Sequence, residues 1–300
     1  MKIGFIGTGT MGQPMLANLV KKGFAVVAYD IIPAALEAAA RLGAVPTGSV
    51  REAAADGDLV ITMLPSSSHV ETVYLGSGGV AESAAQGRLC VDMSTIDPGT
   101  SQRVAARLKE RGLRFLDAPV SGGVGGAVAG TLAIMVGGDA GDLEEARSAL
   151  AAMGANIIHV GAVGAGGVAK LCNNLISGSA LIAVAEAFRI GEAFGVDPQI
   201  LTNVIAKSSG ATWVMEHMHP VPGIVERAAS SHQYAPGFMT DLMAKDLALA
   251  VNAAREKRVP VFVAPAAQQL YRLASSHGLG REDFSSAYKF LKPSNDDVPV

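Results

Sequence analysis

A lysine and two amides are grouped near the middle of this 300-residue chain, in a setting suited to acid–base chemistry. Lys170 and Asn174 are four residues apart, so they share a face of any helix that carries them, with Asn173 beside them. A lysine just inside a helix N-terminus faces the positive end of the helix dipole, which disfavours its charged form. The group is therefore either a catalytic base with polar partners or a solvated lysine with two surface amides, and the spacing leaves both open.

One long helix must position this group. Glycines at 161, 164, 166 and 167 mark a turn before it, and no proline follows until Pro198. The residues between are mostly apolar and suit a helix. Roughly 28 residues would span about 42 Å, which is longer than the usual globular helix. We therefore expect this helix to be buried or to bridge two domains.

The first residues of the chain carry a dinucleotide-binding pattern. An apolar strand over residues 2–6 is followed by G-x-G-x-x-G and then by a helical pattern through Lys22. In this pattern Gly7 permits the tight turn, Gly9 lets the backbone approach a pyrophosphate, and Gly12 allows close helix–strand packing. The helix N-terminus attracts the phosphates. The predicted cofactor contacts of this segment are Gly7, Thr8, Gly9, Thr10, Met11 and Gly12.

Asp30 predicts the choice of cofactor. It ends a second strand over residues 25–29, where an acidic side chain binds a ribose 2′-hydroxyl and repels a 2′-phosphate. Ile31, Ile32 and Pro33 follow, and no arginine occurs before Arg41. The sequence therefore favours NAD over NADP.

Helices and strands continue to alternate, with apolar strand patterns at 59–64, 89–92, 114–117 and 132–136. In an open α/β sheet, ligands bind beyond the carboxyl ends of the strands. The residues that follow two of these strands are therefore predicted to line the cofactor: Met63, Leu64, Pro65, Ser94 and Thr95. Alternatively, Pro65 marks only a turn and Ser94 only a helix N-cap.

A glycine-rich segment at 118–130 is a candidate anion site. Consecutive backbone N–H groups of Ser121, Gly122 and Gly123 would form a concavity suited to a substrate carboxylate, with the Ser121 hydroxyl as a further donor. A flexible loop is the alternative.

Strand signals stop after the long helix. Asp197-Pro198 predicts a helix start, and helical patterns cover 240–256, 261–276 and 284–291. We thus expect a nucleotide-binding domain over 1–163, an all-helical domain over 164–292 and a flexible tail over 293–300. Trp213, the one tryptophan, either walls a pocket or belongs to the core.

Composition excludes several classes of partner. The formal net charge is −3 without a basic cluster, which argues against nucleic-acid and anionic-membrane partners. Charged residues within the long apolar stretch argue against a membrane span. Cys90 and Cys172, in apolar surroundings, are expected to be reduced core residues of a cytoplasmic protein, and no signal peptide is expected. Six scattered histidines at no ligand spacing predict no metal site.

Several separate motifs resemble those of the β-hydroxyacid dehydrogenases, the 3-hydroxyisobutyrate branch most closely, over nearly the whole chain. G-F-I-G-T-G-T-M-G at 4–12 is similar to the cofactor fingerprint, and D-A-P-V-S-G-G-V-G-G-A at 117–127 to the substrate motif. G-A-G-G-V-A-K-L-C-N-N at 164–174 resembles the catalytic motif. K-D-L at 245–247 and D-M-S-T at 92–95 resemble elements near the cofactor.

The resemblance implies a fold, a reaction and residue roles. The fold is α/β: a Rossmann-type dinucleotide-binding domain, then an all-α domain joined to it by a long helix, 6-phosphogluconate dehydrogenase-like. The reaction is NAD-dependent oxidation of a small 3-hydroxy acid, such as 3-hydroxyisobutyrate or serine, to its semialdehyde. The implied roles are catalysis by Lys170, substrate contacts by Ser121, Gly122, Gly123 and Asn174, and cofactor contacts by Thr95 and Lys245.

The resemblance leaves three points open. Met218-His219 stand where this branch usually has Tyr-Asn, which affects the preferred substrate substituent if these side chains line the pocket. Trp213 belongs to the same segment and is a candidate substrate contact. A semialdehyde reductase working mainly in the reducing direction, or a non-catalytic cofactor-binding scaffold, is the alternative function. The apolar helical domain predicts a homodimer or homotetramer.

Overall fold

The computed structural model describes residues 1–292, so the predicted flexible tail lies outside the described residues. The chain forms two compact units, one over Met1–Leu171 and one from Cys172 onward. The division falls within the long helix, whereas the sequence places it at 163/164, before that helix begins. The domain boundary given above therefore stays a prediction.

The first unit is built on one nine-stranded sheet. Its strands are β1 Lys2–Ile6, β2 Ala25–Tyr29, β3 Val45–Pro46, β4 Leu59–Thr62, β5 Leu89–Asp92, β6 Arg114–Asp117, β7 Val120–Ser121, β8 Leu132–Gly137 and β9 Gly154–Gly161. The strands predicted at 2–6, 25–29, 89–92 and 114–117 have the bounds observed in the structure. β3, β7 and β9 were not expected from the sequence.

Eight helices connect these strands, and a ninth follows the last. They are α1 Gly12–Lys21, α2 Pro33–Arg41, α3 Val50–Asp56, α4 Ser67–Leu75, α5 Val80–Ser83, α6 Pro98–Glu110, α7 Gly123–Ala129, α8 Ala140–Met153 and α9 Ala165–Ala193.

The strand order β3-β2-β1-β4-β5-β6-β8-β7, with β9 beside β8, reverses direction at β1. The first six strands pair in parallel, while β8 runs antiparallel to β6 and β7 and parallel to β9. Because parallel strands end at one edge, the segments after β1, β4, β5 and β6 lie along the same edge of the sheet. The Rossmann-type topology predicted for this unit is confirmed.

Apolar side chains cover both faces of this sheet. One core cluster includes Ile3, Phe5 and Leu16, and the other includes Val60, Tyr74 and Phe115. Strands buried on both faces read as continuous apolar runs, which is why β4 and β5 could be located from the sequence.

The described part of the second unit is helical, apart from one isolated bridge between Met239 and Asp283. Besides the rest of α9, it contains α10 Pro198–Ala206, α11 Trp213–His217, α12 Thr240–Glu256, α13 Val263–Ala274 and α14 Ala287–Phe290, with short 3-10 or π turns at Ala229–His232, Ser275–Leu279 and Phe284–Ser286. Asp197 caps α10 as expected, accepting N–H bonds from Gln199 and Ile200.

α9 is the one described helix that is long and apolar enough, by length and composition alone, to cross a membrane. Its Leu181 and Ile182 pack in a core cluster with Met243, Leu247 and others of the second unit. At Gly178 a Cβ would lie 2.6 Å from the Met243 sulfur, so this glycine permits the close approach of α12. These contacts favour a core helix over a membrane span.

One cysteine prediction is wrong. Cys90 is buried, but Cys172 is exposed, and both are free thiols. At 100° per residue, Cys172 lies about 200° around α9 from Lys170, away from the helix's buried face.

Candidate active site

The turn between β1 and α1 has the shape of a pyrophosphate cradle. Gly7 has φ +94°, and a Cβ there would lie 2.3 Å from the Met63 carbonyl oxygen. A Cβ on Gly12 would lie 2.0 Å from the Gly7 oxygen, so the helix starts against the turn. At Gly9, by contrast, no atom of the described residues lies within 4 Å of the Cβ position. The backbone at Gly9 therefore faces open space that a pyrophosphate fits.

The rest of this segment is held by Asp30. Its Oδ2 accepts the Thr8 N–H at 2.7 Å, and its Oδ1 accepts the Ile32 N–H at 2.8 Å. Thr8 is buried, Thr10 is exposed, and Met11 is half-buried directly before α1. The carboxylate is thus fixed at the end of β2, beside the first glycines. These residues fit a dinucleotide with free ribose hydroxyls.

We predict that NAD supports a kcat/KM at least about tenfold higher than NADP does. A 2′-phosphate would meet the fixed Asp30 carboxylate, at a cost on the order of 1–3 kcal/mol. The measurement is steady-state kinetics with both cofactors, for the wild type and for Asp30→Asn. The asparagine keeps an acceptor but removes the charge, so the preference should shrink. Equal or faster turnover of the wild type with NADP would contradict the prediction.

Buried side chains join the ends of β4 and β5. Asp92 Oδ1 accepts the Thr62 hydroxyl at 2.7 Å and the Ser94 hydroxyl at 2.5 Å. Ser94 Oγ in turn accepts the Leu64 N–H at 2.8 Å, so Ser94 links two strand ends, whereas the N-cap of α6 is Asp97. The predicted cofactor contacts flank this network: Met63, Leu64 and Pro65 follow β4, and Thr95 follows β5.

Asp92 should make the stability of the protein pH-dependent. Burial raises its pKa from 3.8 to about 6, against the opposing hydrogen bonds from Ser94 and Thr62. Its Oδ2 accepts no hydrogen bond from any described residue. The folded state holds this proton more tightly than the unfolded state does. The protonated carboxyl therefore contributes to the free energy of unfolding in full below pH 3.8, and this contribution is lost as the pH rises through 6.

We therefore expect the free energy of unfolding of the wild type to fall, relative to that of Asp92→Asn, by roughly 2 kcal/mol between pH 4 and pH 7. Urea unfolding of both proteins at several pH values in this window measures the difference. Parallel pH curves would show that the Asp92 carboxyl does not titrate there.

The predicted carboxylate segment is ordered. Ser121 ends β7, which pairs with β8 at Ala133, and Gly123 begins α7. Gly122 and Gly123 have φ values of +133° and +62°, a backbone that side-chain-bearing residues rarely adopt. The two glycines thus permit a sharp turn from β7 into α7. Carboxylate binding by Ser121, Gly122 and Gly123 stays a prediction.

Lys170 and Asn174 are both buried, at 5% and 4% exposure, one turn apart on α9. The Asn174 Nδ2 donates to Asp246 Oδ2 at 2.6 Å, and its Oδ1 accepts from Asn173 at 3.1 Å. Lys245 Nζ lies 3.2 Å from Asp246 Oδ1. The amide of Asn174 is therefore held in one orientation by groups within the second unit, and a solvated lysine with surface amides does not describe this pair.

Two buried acidic residues at strand ends of the first unit were not singled out from the sequence. Asp92 and Asp117 end the neighbouring strands β5 and β6, and both are almost fully buried. Each opens a motif quoted above, D-M-S-T or D-A-P-V-S-G-G. Their position at the ligand edge of the sheet was the available signal.

The structure places Trp213 at the surface of the second unit and His219 in its core. Trp213 begins α11, is 61% exposed and stacks on His217 with ring centroids 4.4 Å apart. His219 is fully buried: its Nδ1 accepts the Val221 N–H at 3.1 Å, and burial lowers its pKa to about 4. Of the Met218-His219 pair, His219 is thus a neutral core residue.

A surface cavity of about 360 Å³ in the second unit is lined by none of the predicted site residues. Its lining is His217, Met218, Arg227, Ala229, His232, Ala235, Pro236, Gly237 and Asp283. Among residues 1–292, no group of three or more His, Cys, Asp or Glu side chains is arranged to hold a metal ion.

Two family models match the chain. Residues 2–161 match the NAD binding domain of 6-phosphogluconate dehydrogenase. Residues 164–291 match the NAD-binding domain of NADP-dependent 3-hydroxyisobutyrate dehydrogenase.

Whole-length relatives are also found. The chain is 44% identical over 293 residues to the NAD-dependent L-serine dehydrogenase of Pseudomonas aeruginosa, covering 98% of each. It is 41% identical to the mitochondrial 3-hydroxyisobutyrate dehydrogenase of Rattus norvegicus, covering 97% of this chain and 87% of that one. The structure of Mycobacterium tuberculosis 3-hydroxyisobutyrate dehydrogenase with L-serine matches with a TM-score of 0.92 at 41% identity, covering 97% of this chain and 99% of that one.

Proposed function

Because this chain belongs to the β-hydroxyacid dehydrogenase family of NAD-dependent oxidoreductases, we propose that it oxidises a small 3-hydroxy acid, 3-hydroxyisobutyrate or L-serine, to the semialdehyde. The observation that carries the proposal is the buried pair of Lys170 and Asn174 on α9. Two relatives with these activities, each more than 40% identical over nearly the whole chain, support it.

In the proposed reaction, Lys170 accepts the proton of the substrate hydroxyl as carbon 3 loses hydride, and donates it in the reverse direction. A neutral lysine is needed for oxidation. Asn174 orients the substrate through its amide, which Asp246 fixes. Ser121, Gly122 and Gly123 hold the substrate carboxylate, so that the reacting carbon has one position.

NAD, when bound, supplies the hydride acceptor. The residues proposed to hold it are the turn over 7–12, Asp30, the segment after β4 and Thr95, with Lys245 at the nicotinamide end. Their fit rests on the open space at Gly9 and on the fixed Asp30 carboxylate. The lysine polarises the substrate oxygen, so the proposed step assigns no role to a metal ion.

The test is a substrate panel with NAD, read as the absorbance of reduced cofactor. 3-Hydroxyisobutyrate, L-serine and glycerate vary the group on carbon 2, and a matching alcohol without a carboxylate probes the loop. We expect the protein to oxidise 3-hydroxyisobutyrate or L-serine and not to oxidise the alcohol that lacks a carboxylate. Turnover of none of the hydroxy acids, or of the alcohol equally well, would contradict the proposal.

We also propose a cytoplasmic homodimer or homotetramer. Ile176 and Ile190 on α9, and Phe194 directly after it, are exposed apolar side chains, which supports burial against another subunit.

A further inference from the structure

The first turn of α9 rests on a carboxylate that is distant in the sequence. Asp117, at the end of β6 and 2% exposed, accepts the Gly164 N–H on Oδ1 at 2.6 Å and the Gly167 N–H on Oδ2 at 2.8 Å. The first N–H groups of a helix lack partners within the helix, and a capping side chain usually supplies one locally. Here the residue before α9 is Gly164, which has no side chain, so Asp117 caps the helix from 47 residues away.

Close backbone contacts seat the turn on this strand end. A Cβ on Gly166 would lie 2.3 Å from the Met135 oxygen and 3.0 Å from Asp117 Oδ2. A Cβ on Gly137 would lie 2.4 Å from Asp117 Oδ1. The two glycines therefore leave room for the helix backbone to reach the Asp117 carboxylate. A larger residue at either position would displace the first turn of α9 from that carboxylate.

We propose that Asp117 is a positioning residue for Lys170. Lys170 lies one turn beyond Gly166, so the height and rotation of that turn determine where the lysine amine is held. Asp117 also begins the segment that leads to Ser121. One carboxylate thus fixes the helix with the proposed base relative to the strand before the proposed carboxylate loop. Displacements of about 1 Å cost on the order of 10²-fold in rate.

The inference rests on the proposed role of Lys170, and its test uses matched variants in the same unit. Asp139 caps α8 with N–H bonds from Gly141 and Asp142, and a Cβ on Gly141 would lie 3.0 Å from Asp139 Oδ1. The test pair is Asp117→Asn and Gly166→Ala, and the control pair is Asp139→Asn and Gly141→Ala. For all four proteins kcat, KM, the NAD dissociation constant and the unfolding temperature are measured.

We expect the test pair to lose more than about tenfold in kcat with NAD binding changed less than about threefold. The control pair should lose stability but keep kcat within about twofold. In Asp117→Asn/Lys170→Ala, kcat should be no lower than in Lys170→Ala alone, because a residue that acts through the lysine has no further effect once the lysine is absent.

Any of three results would overturn the proposal. The first is a folded Asp117→Asn with kcat within threefold of the wild type, and the second is an equal loss of kcat in the test and control pairs. The third is a double variant whose kcat falls below that of Lys170→Ala by the full Asp117→Asn factor. If Asp117→Asn does not fold, Gly166→Ala against Gly141→Ala decides. Lys170→Ala with wild-type kcat would instead refute the proposed base, and that result needs no Asp117 variant.

Discussion

Replacing Lys170 by alanine is expected to lower kcat and kcat/KM by a similar factor, roughly 10²–10⁴, the usual effect of a positioned acid–base group. Lys170 is buried on α9, one turn before Asn174, whose amide Asp246 fixes. NAD should still bind, because the turn over residues 7–12 is untouched. Steady-state kinetics and a direct NAD titration of the variant measure both quantities.

Two further variants give this prediction its controls. Lys170→Arg should not recover activity, because arginine stays charged and cannot accept the proton. Lys207→Ala removes an exposed lysine that follows α10, and its kcat should stay within about twofold of the wild type. A Lys170→Ala protein with less than threefold loss in kcat would remove the base from the mechanism.

Much of the first unit could be predicted because its signals are local. The first strand, the G-x-G-x-x-G turn and Asp30 lie within 30 residues of one another. The spacing of Gly7, Gly9 and Gly12 is typical of a single turn conformation, which the structure has. The ends of the long helix could be predicted within a few residues for the same reason. The signals are a glycine-rich turn followed directly by a long apolar stretch without proline, and both are local.

The parts that were missed depend on distant partners. β9 is stabilised by pairing with β8, and its own eight residues carry a burial pattern that is mostly exposed, so no apolar run marks it. The cap of α9 comes from Asp117, and no residue beside Gly164 reveals it. Neither feature can be read from a local window of sequence.

The orientation of single side chains was also beyond the sequence. Cys172 lies in an apolar run yet points away from the buried face of α9. For His219 the sequence left open whether the side chain lines the pocket, and in the structure it packs edge-on against Phe188 with ring centroids 4.5 Å apart. In both cases the packing of the second unit decides the environment, and residue type does not.

Gly123→Val is expected to raise the KM for the hydroxy acid by at least about 30-fold while changing NAD affinity by less than about threefold. Gly123 has φ +62°, a conformation in which a β-branched residue is strongly disfavoured. The turn from β7 into α7 would have to change, and the predicted N–H contacts of Ser121, Gly122 and Gly123 with the substrate carboxylate would be lost. The loss of one hydrogen bond to a charged group already accounts for a change of this size, since each contributes about 1.5–3 kcal/mol.

Two glycines of the same segment separate this effect from general damage. Gly130, at the other end of α7, has φ +68°, so Gly130→Val meets the same backbone strain away from the predicted loop. At Gly125 no atom of the described residues lies within 4 Å of the Cβ position, so Gly125→Val adds bulk without a clash. Both should keep KM within about threefold. An unchanged KM in folded Gly123→Val, or an equal rise in Gly130→Val, would show that this loop does not bind the carboxylate.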